Sequence, residues 1–241
     1  MAQEYVSEDV PTLLDHALRE PSFTCKDDLG LSFYVISKRI VDVALSTFLL
    51  TVLSVPMALI ALAVRLTSSG PVFFRQVRLG KDRRPFVMLK FRSMLRDSGD
   101  EVHRAYVSAM LAEEGVQPSS DRQALYKLIG DERVTGLGAL LRKTSLDELP
   151  QLINVLIGDM SLVGPRPSLP WEAGLFGSRY CARFEVKPGL TGLWQVSGRS
   201  NMTMQQALEL DLKYARERSV ALDLTILVRT VPAVLFCRGA S

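Results

Sequence analysis

The residues with the richest chemistry form one short segment, Arg142-Lys143-Thr144-Ser145-Leu146-Asp147-Glu148-Leu149-Pro150-Gln151. Ser145, three residues before Glu148, has the spacing of a capping box, and Pro150 suits a first helical turn. Leu149, Leu152, Ile153 and Leu156 then recur at the i, i+3, i+4, i+7 interval of a core-facing helix. On that reading Asp147 and Glu148 only complement the helix dipole. The same arrangement offers chemistry. A carboxylate at a helix start stays ionised where backbone N–H groups also attract phosphate. Arg142 and Lys143 stand ready to neutralise that phosphate, and adjacent acids at a helix start can share one divalent metal. An aspartate beside Mg²⁺ and arginines is suited to attack on phosphorus, forming an aspartyl phosphate.

Three further segments supply cations. Gly164-Pro165-Arg166-Pro167 pins an arginine between two prolines, either as a phosphate clamp or as a rigid connector. Lys187-Pro188-Gly189-Leu190-Thr191-Gly192-Leu193-Trp194-Gln195 has glycines that permit close backbone approach, and a Trp194 that either stacks on a base or sugar or anchors the core. Residues 75–96 hold eight cations, Lys90 and Arg92 among them, against the single acid Asp82. Such a field attracts anionic lipid headgroups at ~1 kcal/mol per basic residue, and arginine forks within it match phosphate oxygens.

These groups need positioning elements. Residues 40–64 form an apolar run with one charge, Asp42. As a straight helix it would reach ~37 Å, enough for a ~30 Å hydrocarbon core. Pro56 interrupts the run, and cations flank both ends: Lys38 and Arg39 before it, Arg65 and the 75–96 cluster after it. The positive-inside rule places both flanks on the cytoplasmic side. A re-entrant hairpin bending at Pro56, with Ser54 satisfying freed backbone groups, accommodates both signals better than a single span. Lys38 and Arg39 then read as membrane-anchoring cations. Beyond the turn Ser68-Ser69-Gly70-Pro71, short strands are expected at 72–74 and 86–89 around Gly80-Lys81-Asp82. Helices are expected over 97–129, 137–157 and 203–218, with long functional connections at 158–170 and 187–200. Residues 220–236 suit a helix lying on the interface. The expected fold is therefore mainly α with a few short strands. It comprises an acidic, flexible tail (1–30), a re-entrant membrane helix (31–66) and a compact membrane-associated cytosolic domain with interfacial amphipathic helices (67–241).

Composition narrows the function. Hydrophobic residues make up 47% and charged residues 23%, which fits a folded domain rather than a disordered chain or a many-helix transporter. The net charge of +3 hides an asymmetry, since residues 1–30 carry seven acids against two cations. Three scattered cysteines and two histidines give no disulfide framework or zinc cluster. HExxH, GxSxG, the Walker P-loop and DxD are all missing, so the chemistry must rest on carboxylates and cations.

In order along the chain, Lys38-Arg39-Ile40-Val41-Asp42, the proline-broken apolar run, Lys90-Phe91-Arg92-Ser93-Met94, the Arg142–Gln151 segment, Gly158-Asp159-Met160-Ser161-Leu162-Val163-Gly164-Pro165-Arg166-Pro167 and Lys187-Pro188-Gly189-Leu190-Thr191-Gly192 together resemble the bacterial sugar transferase family, the monotopic polyprenyl-phosphate phosphoglycosyl transferases. The resemblance implies transfer of a sugar-1-phosphate from a nucleoside diphosphate sugar, a UDP-hexose, to polyprenyl phosphate. Nucleoside monophosphate is released, and a surface polysaccharide is begun at the cytoplasmic face of the bacterial inner membrane. By the same similarity Asp147 is the nucleophile, Glu148 its Mg²⁺-binding partner, Arg142 and Arg166 phosphate-binding arginines, and Pro56 the helix-breaking proline. The sequence departs from the family where Val55 separates Ser54 from Pro56. Partners implied are the nucleotide sugar, polyprenyl phosphate and the bilayer, with no nucleic acid; a homodimer is compatible. Two other readings remain open at this level: a non-enzymatic scaffold binding anionic membranes through residues 75–96, and direct single-step transfer.

Overall fold

A computed structural model describes residues 29–94, 134–198 and 202–235. The helix expected over 97–129 and nearly all of the acidic tail lie outside the described residues. The described chain is mainly helical with two small sheets, as expected.

Helices α1 (Leu29–Val52) and α2 (Ser54–Thr67) form a pair bent by 63°. No single described helix is long and apolar enough to cross a membrane, but the bent pair taken together is. The bend falls at Leu53 (φ −91°, ψ 5°), three residues before Pro56. This corrects the expected break point: Pro56 sits in the first turn of α2, where a missing N–H costs little. The Leu53 N–H still bonds the Leu49 carbonyl, and the Leu53 carbonyl starts the next ladder by accepting from Met57. Ser54 Oγ donates to the Thr51 carbonyl at 2.8 Å, the local compensation expected of it.

Helix α1 is amphipathic in reverse. Tyr34, Asp42 and Ser46, with the half-buried Lys38, form an i, i+4 stripe that faces the protein. Phe33, Ile36, Ile40, Phe48 and Val52 face outward, and Val55, Leu59, Leu62 and Leu66 continue that apolar surface along α2. A helix in a water-soluble domain orients the other way.

Strands β1 (Phe73–Leu79) and β2 (Pro85–Phe91) form an antiparallel hairpin, with Phe73 opposite Phe91 and Leu79 opposite Pro85. Helix α3 (Gly136–Thr144), a 3₁₀ turn (Leu146–Glu148) and α4 (Gln151–Ile157) replace the single helical stretch expected over 137–157. Strands β3 (Ser161–Val163) and β4 (Gly189–Thr191) pair in parallel. Helix α5 (Pro170–Leu175) and a 3₁₀ turn (Ser178–Glu185) connect them; α6 (Leu193–Ser197), α7 (Met204–Glu217) and α8 (Val220–Leu235) follow. Gly164 and Gly189 of the two long connections bring backbone close to backbone. A Cβ on Gly189 would stand 2.1 Å from the Gly164 nitrogen.

The main core gathers Met88, Leu152, Val155, Met160, Leu162, Val163, Tyr214 and Ile226, with Leu45 and Leu49 of α1 packed on it. A second cluster centres on Leu79, Phe176, Phe184 and Leu208. A third, of Val64, Phe91 and Leu141, seats the far end of α2. Both ends of the bent pair therefore dock on the same domain.

Candidate active site

The 3₁₀ turn that carries Asp147 and Glu148 follows Ser145, which has a left-handed backbone (φ 58°). Ser145 ends α3: its N–H bonds the Arg142 carbonyl, and its side chain caps nothing. The expected capping box is therefore absent. Glu148 instead reaches across to β2, where Lys90 Nζ donates to its Oε1 at 2.8 Å. Asn154 fixes that pairing from below. Its amide donates to the Val87 carbonyl (2.8 Å) and its Oδ1 accepts from the Leu89 N–H (3.0 Å), so α4 mimics a neighbouring strand along β2.

Asp147 is buried, 7% exposed, and its carboxylate takes no hydrogen bond or ion pair from any described residue. Burial pushes its pKa above the ordinary carboxylate value. Lys90 pulls it back, Glu148 adds to the rise, and Arg142 and Arg166 pull it down from farther out. The carboxyl is thus not the unperturbed helix-start anion expected from sequence. It is desolvated, yet it lies within the field of the two arginines assigned to it. One residue away, Glu148 lines a shallow cleft together with Arg78, Lys90, Gln151, Arg166 and Gln195. Arg142 and Arg166 are exposed, and Arg142 Nη2 donates to the Met94 sulfur at 3.6 Å.

The structure brings Asp147, Glu148, Lys90, Arg142 and Arg166 together and removes Arg92. Arg92 is buried, donating to the carbonyl and the hydroxyl of Ser68, both at 2.7 Å, at the C-terminal end of α2. A guanidinium there satisfies the last carbonyls of a helix, which explains why it is not free for substrate. Lys38 and Arg39, expected as membrane-anchoring cations, are likewise engaged with protein. Lys38 bonds Asp223 (2.7 Å), the Val163 carbonyl (2.9 Å) and the Tyr214 hydroxyl (3.2 Å). Arg39 donates to the carbonyls of Val155 (2.7 Å) and Leu156 (2.8 Å), capping α4. Trp194 is half-buried at the start of α6.

Sequence reasoning gives no role to Asp42, Asn154, Gln151, Gln195 or the Arg183–Asp211 pair, and reads Arg78 only as one cation of the 75–96 cluster. Asp42 left a signal, as the lone charge in an apolar run. Its Oδ1 accepts from Ser161 Oγ (3.0 Å) and the Leu162 N–H (2.9 Å), clamping β3 to α1. The others are polar residues of ordinary type whose partners lie far off in sequence.

Among the described residues no three metal-ligating carboxylate, imidazole or thiol side chains gather. The donor set still fits Mg²⁺, which commonly takes one or two carboxylates and completes its shell with substrate phosphates and water. Asp147 and Glu148 would hold it.

The chain resembles known proteins along most of its length. The family model described as bacterial sugar transferase matches residues 33–237. The chain is 39% identical over 207 residues to the exopolysaccharide production protein ExoY of Rhizobium meliloti, covering 85% of this chain and 88% of that protein. It is 41% identical over 210 residues to a UDP-glucose:undecaprenyl-phosphate glucose-1-phosphate transferase of Caulobacter vibrioides, covering 83% and 70%. It is 36% identical over 203 residues to a UDP-galactose-lipid carrier transferase of Erwinia amylovora, covering 84% of this chain and 41% of that longer protein. With a carboxylate pair among cations and a match along most of its length, the chain belongs to the bacterial sugar transferase family.

Proposed function

We propose that this protein transfers a hexose-1-phosphate from a UDP-sugar to undecaprenyl phosphate through a covalent intermediate on Asp147. The observation that carries the reading is the buried Asp147 carboxylate, unbonded by any described residue and set in the field of Lys90, Arg142 and Arg166. The names of the relatives supply the donor and acceptor classes. In the first step an Asp147 oxygen attacks the phosphorus that bears the sugar. The bond from that phosphorus to the bridging oxygen breaks, and the oxygen leaves on UMP. In the second step an oxygen of the lipid phosphate attacks the same phosphorus, Asp147 departs as a carboxylate, and the lipid-linked diphosphosugar is formed. Desolvation makes the carboxylate a stronger nucleophile, and the arginines bind the diphosphate. Mg²⁺, held by Asp147 and Glu148, would neutralise charge developing on the phosphoryl oxygens.

The bilayer enters through the bent pair. Tyr34 and Lys38 tie the start of α1 to Asp223 of α8, while Arg92 ties the end of α2 to the hairpin. A chain whose two ends are held on one domain has no reason to cross, so the outward apolar surface of α1 and α2 enters one leaflet and returns. Leu224, Val228 and Val231 of α8 add an exposed apolar strip suited to the same surface. The cytoplasmic face follows from the cationic flanks.

The scaffold alternative weakens because Arg78, Lys90 and Arg92 of the basic cluster bond protein groups. The test is a panel of UDP-sugars with undecaprenyl phosphate in micelles, reading UMP release and lipid-linked product. Turnover that stops with chelator or with Asp147→Asn supports the reading. Undiminished turnover by Asp147→Asn would refute it.

A further inference from the structure

We propose that Arg183, with its buried partner Asp211, is a positioning residue that holds the Arg166 loop in the shape that binds phosphate. This rests on the phosphate role assigned to Arg166 above. Arg183 lies in the 3₁₀ turn after α5 and is 5% exposed. Its Nη2 donates to the Arg166 backbone carbonyl at 2.9 Å, and its Nη1 bonds Ser168 Oγ. Its Nε and Nη2 both donate to Asp211 Oδ2 on α7, at 3.2 and 2.6 Å. The guanidinium also lies over the rings of Phe176 and Phe184, 5.1 and 5.3 Å from their centroids.

One guanidinium thus fastens the loop at residues 166 and 168. On the other side the loop is fastened by β4, since the Gly164 N–H bonds the Thr191 carbonyl (2.9 Å) and the Gly189 N–H bonds the Pro165 carbonyl (2.8 Å). Pro165 and Pro167 remove the backbone freedom between these points. The one group left outside this frame is the Arg166 side chain, exposed at the cleft wall. A buried ion pair is itself weak evidence of a role in stability, because apolar residues of similar volume often serve as well. Apolar residues cannot grip two acceptors of a loop, and a planar fork can. No described residue hydrogen-bonds Asp211 Oδ1, so among the described residues the Asp211 carboxylate bonds Arg183 alone.

The test compares Arg183→Lys, Arg183→Met/Asp211→Leu and Arg166→Ala, each also combined with Arg166→Ala where it lacks it, for kcat/KM with UDP-glucose and UDP-galactose and for thermal melting. Arg183→Lys keeps a counter-charge for Asp211 but loses the fork. Misplacing Arg166 by about 1 Å should cost roughly 10–100-fold in kcat/KM, with the melting temperature nearly unchanged. Little of that cost should remain in the Arg166→Ala background, because the two residues act as one unit. Wild-type kcat/KM in Arg183→Lys, or the same fold-loss with and without Arg166, would overturn the positioning role. The apolar double variant should melt like the wild type and still lose activity; full activity in it would also overturn the role, and if it fails to fold Arg183→Lys decides. Full turnover by Arg166→Ala alone would instead strike the phosphate role of Arg166, and with it that part of the proposed function.

Discussion

Two groups of charges in this molecule have similar residue types and opposite fates. Lys38, Arg39 and Arg92 stand at the two ends of the bent helix pair, and each donates its N–H groups to named acceptors within the protein. Arg142 and Arg166, around Asp147, are exposed, while the carboxylate between them is buried with no hydrogen bond from a described residue. Each cation of the first group is engaged by protein acceptors and is therefore architectural. In the second, no described residue hydrogen-bonds the carboxylate, and the Arg142 guanidinium meets the soft Met94 sulfur at 3.6 Å rather than an oxygen acceptor. Charge in the sequence does not separate the two, whereas hydrogen-bond partners do.

The largest effect that would sharpen this contrast is at Asp147. Asp147→Asn should lower turnover by roughly 10⁴-fold or more, as loss of a covalent nucleophile does. Stability should move the opposite way. The folded-state pKa of Asp147 is raised, so its ionised form penalises the fold once pH exceeds the ordinary carboxylate value, and the amide carries no such penalty. The variant should therefore melt higher than the wild type at pH 7, with the gain shrinking towards pH 4. A lower melting temperature at neutral pH would break the argument.

Next come the architectural cations. Lys38→Met leaves Asp223 without its 2.7 Å partner and should cost about 3 kcal/mol in urea unfolding, as removing half of a largely buried pair does. Arg142→Ala should leave the unfolding curve in place and reduce kcat/KM by roughly tenfold, the worth of one charged hydrogen bond to phosphate. If the two variants exchange these outcomes, the division between the regions fails.

A smaller effect lies in pH dependence. Lys90 is the strongest influence holding the Asp147 pKa down. Lys90→Gln should therefore move the acid limb of the kcat/KM profile to higher pH, because the nucleophile is lost to protonation sooner as pH falls. The smallest effect is at Ser145. A left-handed serine costs about 1 kcal/mol that glycine avoids, so Ser145→Gly should raise stability slightly and leave turnover alone.

The same contrast explains what could be read from sequence. The bend, the hairpin and the helices α7 and α8 follow from local signals: a proline in an apolar run, a Gly-Lys-Asp turn and 3.6-residue periodicity. Asp147, Glu148, Lys90, Arg142 and Arg166 stand out as charges clustered by type. The reverse amphipathy of α1 is harder to see, because Tyr34, Lys38, Asp42 and Ser46 look like noise in an apolar helix until their partners at 161–163, 214 and 223 are known. Arg92 reads from sequence as a phosphate cation because nothing local distinguishes a cation that caps a helix end from one that binds phosphate. Ser145 misled for the same reason: a Ser-x-x-Glu spacing implies a capping box only if Glu148 is free, and Lys90, 58 residues away, claims it.

The central claim is a covalent bond between Asp147 and the sugar phosphate. The direct measurement is to mix enzyme with a radiolabelled UDP-sugar and Mg²⁺ in the absence of polyprenyl phosphate, follow UMP in the first turnover, and weigh the peptide that contains Asp147. The account predicts a burst of UMP and a mass gain of one hexose phosphate on that peptide, both lost in Asp147→Asn. Release of UMP only after the lipid phosphate is added, with the peptide never modified, would contradict it.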